Sequence, residues 1–211
     1  MKIIDNFLDD VDYSNIRDGL VNKTFWGYLP ESVDQPEGFV PTVLEDGTQF
    51  VSSSTFRHMF IWQGEINSPL NEYMKPFYAK LHKMFGDSLK MRSAFANLLP
   101  KTDVRDDWKQ TFSIPHVDLN FPKDILDKYD CFTALYYVND SVGDTMFFRE
   151  QRMAGDLVAT TQVTPDFCIS PKPNKMVIWN GNKYHAAPAY VPKTRVVVNF
   201  NFLIDKNISV V

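Results

Sequence analysis

The chain has 211 residues and a formal net charge of −4, with 44% hydrophobic and 14% aromatic residues, enough apolar material for one domain with a substantial core. The acidic balance and the lack of a Lys/Arg cluster argue against a nucleic-acid partner. No apolar run approaches the ~20 residues that span a bilayer, no secretory pattern opens the sequence, and two cysteines, Cys131 and Cys168, make no disulfide framework, so a cytoplasmic protein with two buried thiols outside any disulfide is expected.

Taken in chain order, residues 8–24 carry Leu8, Val11, Ile16, Leu20 and Val21 at helical spacing, with Asp9 or Asp10 as cap. Residues 29–48 hold three prolines, two glycines and five acids and read as a surface loop. Residues 50–62 read as a strand. Within it His58 shares a face with Phe56, Phe60 and Trp62, the place of a core or groove histidine and not a ligand. The clearest helix spans 68–85. Ser68 suits the cap, Pro69 the first turn and Gly86 the end, and Leu70, Tyr73, Met74, Phe77, Tyr78, Leu81, Met84 and Phe85 form one apolar stripe for core packing. Pro76 inside that pattern predicts a kink or a split. His82 falls off the stripe and is expected to face solvent.

After residue 90 the texture becomes β. Short runs at 92–99, 111–118, 131–138, 144–149, 155–163, 175–180 and 195–204 are separated by polar, Pro-rich or Gly-containing links, the pattern of a sandwich, jelly roll or barrel. The Asp103–Lys109 run reads most simply as a solvated loop, placed where a lid would form. Alternate residues divide the last strand into two faces. One is wholly apolar: Val196, Val198, Phe200, Phe202 and Ile204. The other sets Arg195, Asn199 and Asn201 among Val197 and Leu203. Polar groups on an inward face need partners, and a β-domain enclosing a polar ligand supplies them.

Among four histidines, His116 and Asp118 form an H-x-D, which on a strand would turn an imidazole and a carboxylate to one side. His185 lies 67 residues beyond Asp118, after a turn at Gly181. Two histidines and one carboxylate on one side of an ion leave its other positions open, as in the facial triad of non-haem iron(II) oxygenases. Zinc accepts the same ligands. Arg195 follows His185 by ten residues, and its guanidinium is suited to grip a carboxylate through two parallel hydrogen bonds.

These pieces, with Cys131–Asp140, Gly143–Phe148, Ile178-Trp179 and His185–Tyr190 through Arg195, come in the order and spacing of a known family. The stretch 90–204 resembles the 2-oxoglutarate/Fe(II)-dependent dioxygenase superfamily, in particular its prolyl 4-hydroxylase-like branch. The resemblance implies a mainly β fold with flanking α-helices, a double-stranded β-helix (jelly roll) supported by N-terminal helices. It implies one domain over 1–211, with 1–90 as helical support and substrate-side loops and 91–204 as the double-stranded β-helix core. It implies Fe(II), 2-oxoglutarate and O2 as cofactor and cosubstrates, with His116, Asp118 and His185 as iron ligands. Arg195 and Tyr137 match residues that hold the distal carboxylate of 2-oxoglutarate. Asn199 falls where relatives carry a threonine, Leu135 shares Tyr137's strand face, and Asn97 is a polar contact near the position where prolyl hydroxylases offer a tyrosine, here Leu99. The implied reaction is hydroxylation of a C–H bond of a small-molecule or peptide substrate, a prolyl residue or proline, with succinate and CO2 as co-products. The alternatives are an oxygenase acting on another small molecule or a nucleobase, and a non-redox metal-binding β-domain. The family's Gly-Gly-x-Thr turn is reduced here to Gly143-Asp144-Thr145.

Overall fold

A computed structural model describes residues 1–31, 42–103, 108–118, 121–151 and 163–207. The strand expected at 155–163 and most of the candidate lid therefore lie outside the described residues.

The chain opens with β1 (Lys2–Ile4) and α1 (Asp10–Asp18). The Asp9 carboxylate caps α1, accepting from the backbone N–H groups of Val11 at 3.1 Å and Asp12 at 2.9 Å. The expected single helix over 8–24 is shorter. It passes into a π-helical turn over Gly19–Lys23, where a Cβ on Gly19 would lie 2.7 Å from the Tyr73 ring. The expected loop at 29–48 also needs correcting at both ends. Gly27–Leu29 forms β2, and Thr42–Val43 (β3) pairs with Gln49–Val51 (β4) around a turn at Gly47, whose φ of +85° a glycine adopts without strain. The strand expected at 50–62 is likewise two elements, β4 and β5 (Thr55–Trp62), followed by the short β6 (Glu65–Ile66).

Pro76 splits the next helix as its chemistry requires. Ser68 Oγ caps a 3-10 segment over Pro69–Met74, and α2 (Lys75–Phe85) restarts there with Pro76 in its first turn, where no N–H is needed. Beyond Gly86 come β7 (Lys90–Leu99), β8 (Thr111–Ser113), α3 (Lys123–Lys128), β9 (Tyr129–Tyr137), β10 (Thr145–Gln151), β11 (Pro165–Ile169), β12 (Lys175–Asn180), β13 (Lys183–Ala186) and β14 (Arg195–Asp205). The run expected as a strand over 111–118 ends at Ser113. Pro115 has no N–H for a ladder, and beyond it only His116 makes a bridge.

Eight strands form the major sheet in the order β1-β12-β9-β14-β7-β5-β2, with β6 paired to β5 at its side. A minor sheet, β11-β10-β13, faces it, and β3-β4-β8 makes a third small sheet. This is the jelly-roll arrangement that the family resemblance implies and one of the three that the strand pattern allows. The sheet does not respect a division at residue 90, because β1, β2, β5 and β6 all belong to it or extend it.

The long central strand β14 pairs with β7 on one side and β9 on the other. Its apolar face (Val196, Val198, Phe200, Phe202 and Ile204) joins the principal core with Met74, Phe77 and Leu81 from the helical layer. The rings of Phe77 and Phe200 meet at a tilt with centroids 5.0 Å apart, and Phe85 meets Phe202 at 5.1 Å. Each such side chain contributes roughly 1.5–3 kcal/mol through burial. The opposite face looks into the roll, where Leu135, Tyr137, Phe147, Val177, Trp179 and Val197 form a second cluster. Asn201 is satisfied there by Thr133 Oγ1 at 2.8 Å and Ser93 Oγ at 3.1 Å.

His58 has both ring nitrogens engaged, with Phe25 O at 2.7 Å and Ser68 Oγ at 2.9 Å, and its ring packs on Phe60, as a structural histidine should. His82 is exposed. Cys131 is buried, but Cys168, on the small minor sheet, is exposed and departs from the expected pair of buried thiols.

Candidate metal and carboxylate site

His116 and His185 are backbone partners. The N–H of each donates to the carbonyl of the other, at 2.9 Å and 3.0 Å, in an isolated antiparallel bridge. A directly opposed pair projects its side chains to the same side, and the two imidazole centroids stand 4.6 Å apart. Asp118 reaches the same point from a bend after the bridge, not from a continuous strand. Its Oδ1 lies 3.9 Å from His116 Nε2 and 3.8 Å from His185 Nε2. The expected triad is thus assembled by a cross-strand bridge together with the H-x-D spacing.

The ring tautomers suit a metal. His116 Nδ1 faces Ile114 O at 2.8 Å, and His185 Nδ1 lies 3.5 Å from Lys183 O. A carbonyl only accepts, so His116 Nδ1 carries the proton and its Nε2 keeps a lone pair. Burial, then the neighbouring His185, pushes the His116 pKa down to about 4, so this imidazole is neutral near pH 7. The ligand atoms of all three residues lie within 4.8 Å of one another. Two histidine nitrogens and a carboxylate oxygen this close together form a donor set that one ion could share. The side chains therefore fit a metal ion after small adjustment. The His185 ring is braced edge-on by Trp179 at 5.1 Å.

The triad opens onto a cavity of about 70 Å³, several times the space of one buried water and so sized for small groups. Arg195 lies on its wall. Its Nη2 donates to Thr145 Oγ1 at 3.1 Å, while its buried Nε has no hydrogen-bond partner among the described residues. No carboxylate among the described residues pairs with this guanidinium, which is 4% exposed. Burial lowers its pKa, and Tyr137 partly offsets that. A buried cation in this state is costly unless an anion joins it.

The other expected residues divide. Leu135 lines the cavity, directly across from Asn199. Asn97 also lines it, and its Oδ1 accepts from Arg57 Nε at 2.9 Å. Asn199 lines it too, but its amide reaches Asp118 Oδ2 at 3.4 Å, so its contact is with a member of the triad. Its Oδ1 has no partner among the described residues. Tyr137 stands behind the wall. It is fully buried and its hydroxyl meets Thr145 Oγ1 at 2.8 Å, so it reaches the cavity through Thr145 and Arg195.

Several lining residues were missed in the sequence, among them Arg57, Thr145 and Ser113. Thr145 stands in the Gly143-Asp144-Thr145 turn without having been given a role. For Arg57 a signal existed. Alternate positions Thr55, Arg57 and Met59 form the second face of β5, and a charge on an inward strand face asks for a partner as Arg195 does.

No protein-family model matches the sequence and no curated protein matches it. Solved structures do resemble it. An oxidoreductase of the 2OG-Fe(II) oxygenase family from Burkholderia pseudomallei superposes with a TM-score of 0.57 at 13% identity, covering 95% of this chain and 83% of that one. The non-heme alpha-ketoglutarate-dependent epimerase SnoN of nogalamycin biosynthesis gives 0.54 at 12%, covering 96% and 77%. A Trichoplax adhaerens prolyl hydroxylase in complex with a hypoxia-inducible-factor peptide gives 0.51 at 12%, covering 98% and 84%. The fold of this chain is that of the 2OG-Fe(II) oxygenases.

Proposed function

We propose that the protein is an iron(II)- and 2-oxoglutarate-dependent oxygenase that hydroxylates a C–H bond, with a prolyl residue or proline as the substrate class. One observation carries the reading. The cavity holding the His116/Asp118/His185 triad also contains Arg195, a buried guanidinium with no ion pair among the described residues. A non-redox metal-binding β-domain explains the triad but leaves that charge without purpose. A dicarboxylic acid that chelates iron at one end and meets Arg195 at the other uses both. Two solved structures of the same fold, the prolyl hydroxylase above and a viral collagen prolyl hydroxylase, support the prolyl choice, though the same fold also serves an epimerase.

Iron(II) with 2-oxoglutarate and O2 would supply the oxidising chemistry, giving succinate and CO2 as co-products. The chain's own residues do the positioning. His116, Asp118 and His185 would hold the ion. Asn199 steadies the Asp118 carboxylate. Arg195 binds the distal carboxylate of the cosubstrate, with Thr145 and Tyr137 fixing its fork. Leu135 and Val197 keep the wall between them apolar and exclude water. No helix among the described residues is long and apolar enough to cross a membrane. A cytoplasmic setting belongs to the same proposal.

The test is anaerobic absorption of the purified protein with Fe(II), with and without 2-oxoglutarate. The expected result is a weak visible charge-transfer band that needs both, and that Asp118→Ala abolishes. A folded, iron-loaded protein without the band overturns the reading. Succinate release across proline, prolyl peptides and nucleobases then ranks substrates.

A further inference from the structure

A second cavity, of about 520 Å³, lies outside the one that holds the triad and shares Pro188 with it as a common wall. Three segments build it: the turn over 141–144, the 3-10 turn Trp108–Gln110 with the β8 strand that follows, and Ser170-Pro171 just after β11. Its body is apolar, from Trp108, Phe112, Pro171 and Pro188. Pockets of this volume take small organic ligands, with an apolar lining for bulk and a few polar groups to fix orientation.

The polar groups here are one charge of each sign and a hydroxyl. Lys109 is exposed, and its ammonium lies 5.7 Å from the Trp108 ring centroid, a cation–π contact that keeps it at this wall. Asp144 is half-buried and acts on Arg195 through space alone. Neither side chain makes an ion pair or a hydrogen bond with a described residue. Ser141 lines the cavity too. It is 6% exposed, and its buried Oγ has no hydrogen-bond partner among the described residues. Buried hydroxyls are seldom left so. An occupant with one positive and one negative charge answers both Asp144 and Lys109, whereas a singly charged occupant meets a like charge in the same cavity.

We infer that this cavity is a binding site for a free amino acid with an apolar side chain, its ammonium at Asp144, its carboxylate at Lys109 and its side chain against Trp108 and the two prolines. The site stands apart from the triad yet adjoins the carboxylate anchor. Thr145, the residue after Asp144, accepts from Arg195 Nη2 at 3.1 Å. The inference does not rest on the oxygenase reading.

The experiment is equilibrium dialysis of the full chain, metal-free in EDTA, against the twenty free L-amino acids and, separately, their N-acetyl derivatives and primary amides, with mass-spectrometric readout. At least one apolar amino acid is expected to be retained. Its N-acetyl form lacks the positive charge and its amide the negative one, and each should bind about tenfold more weakly or worse. Asp144→Asn and Lys109→Gln should each weaken the free amino acid by a similar factor. Asp144→Asn should leave the N-acetyl form unchanged, because that form already lacks the group Asp144 meets. Retention of no amino acid, equal retention of the blocked forms, or an affinity that neither substitution changes overturns the inference. So does retention that appears only after Zn(II) and 2-oxoglutarate are added, which would place the amino acid in the triad cavity and leave the oxygenase reading standing.

Discussion

The two faces of β14 share one backbone and do opposite work. The outer face carries Val196, Val198, Phe200, Phe202 and Ile204 into the helix-backed core. The inner face carries Arg195, Asn199 and Asn201, all 5% exposed or less. The outer residues stabilise by leaving water. The inner ones cost stability unless partnered, and their partners grade from protein to cavity. Asn201 is satisfied by Thr133 and Ser93, Asn199 is half satisfied by Asp118, and Arg195 keeps a bare Nε. Polar satisfaction thus declines along one strand toward Arg195. Under the proposed function, the gradient marks where stability has been exchanged for binding.

Breaking the outer face should show only in folding. Phe200→Ala is expected to lower the unfolding free energy by about 3–5 kcal/mol in urea titrations, while the fraction still folded binds 2-oxoglutarate normally. Breaking the inner face should show the reverse. Arg195→Met is expected to weaken 2-oxoglutarate by about 2–5 kcal/mol, read by titrating the charge-transfer band. The same variant should match or exceed wild-type stability, since it removes a buried unpaired charge. A variant that loses both equally would erase the distinction between the faces. Asn199→Val sharpens it. Metal affinity should fall roughly 10–100-fold in a chelator competition, with 2-oxoglutarate affinity per loaded site little changed, because Asn199 acts on Asp118. The smallest effect tests the turn that delivers Thr145. At Gly143 φ is +94°, and a Cβ would lie 2.7 Å from Pro188 Cγ, so Gly143→Ala should cost about 1–2 kcal/mol of stability.

Much of this comparison is legible in the sequence, because a period-two pattern reports both faces of a strand at once. The same pattern in β5 places Arg57 on its second face, but the aromatic face with His58 dominates that strand. A bulge between Met59 and Ile61 further blurs that alternation. The triad was legible as residue types in order. The bridge that assembles it was not, since pairing between positions 116 and 185 is a long-range fact that no local window contains. The parallel pairing of β4 with β8 was hidden for the same reason. Short elements such as β11 and β13 escaped because four or five residues, one beginning with proline, carry too little periodicity to stand out. Asn199 was placed correctly on the inner face, but its neighbour there, Asp118, comes from a bend whose position the strand pattern does not encode.

The reciprocal hydrogen bonds between His116 and His185 also set a rule for transplanting the centre. Their two imidazoles are aimed by register. A slip of one residue in that pairing would turn one of them to the far side while leaving every side chain chemically intact. Anyone grafting this centre onto another scaffold must carry over a two-stranded backbone contact with its phase. Three correctly chosen residues in the wrong phase would make no chelate.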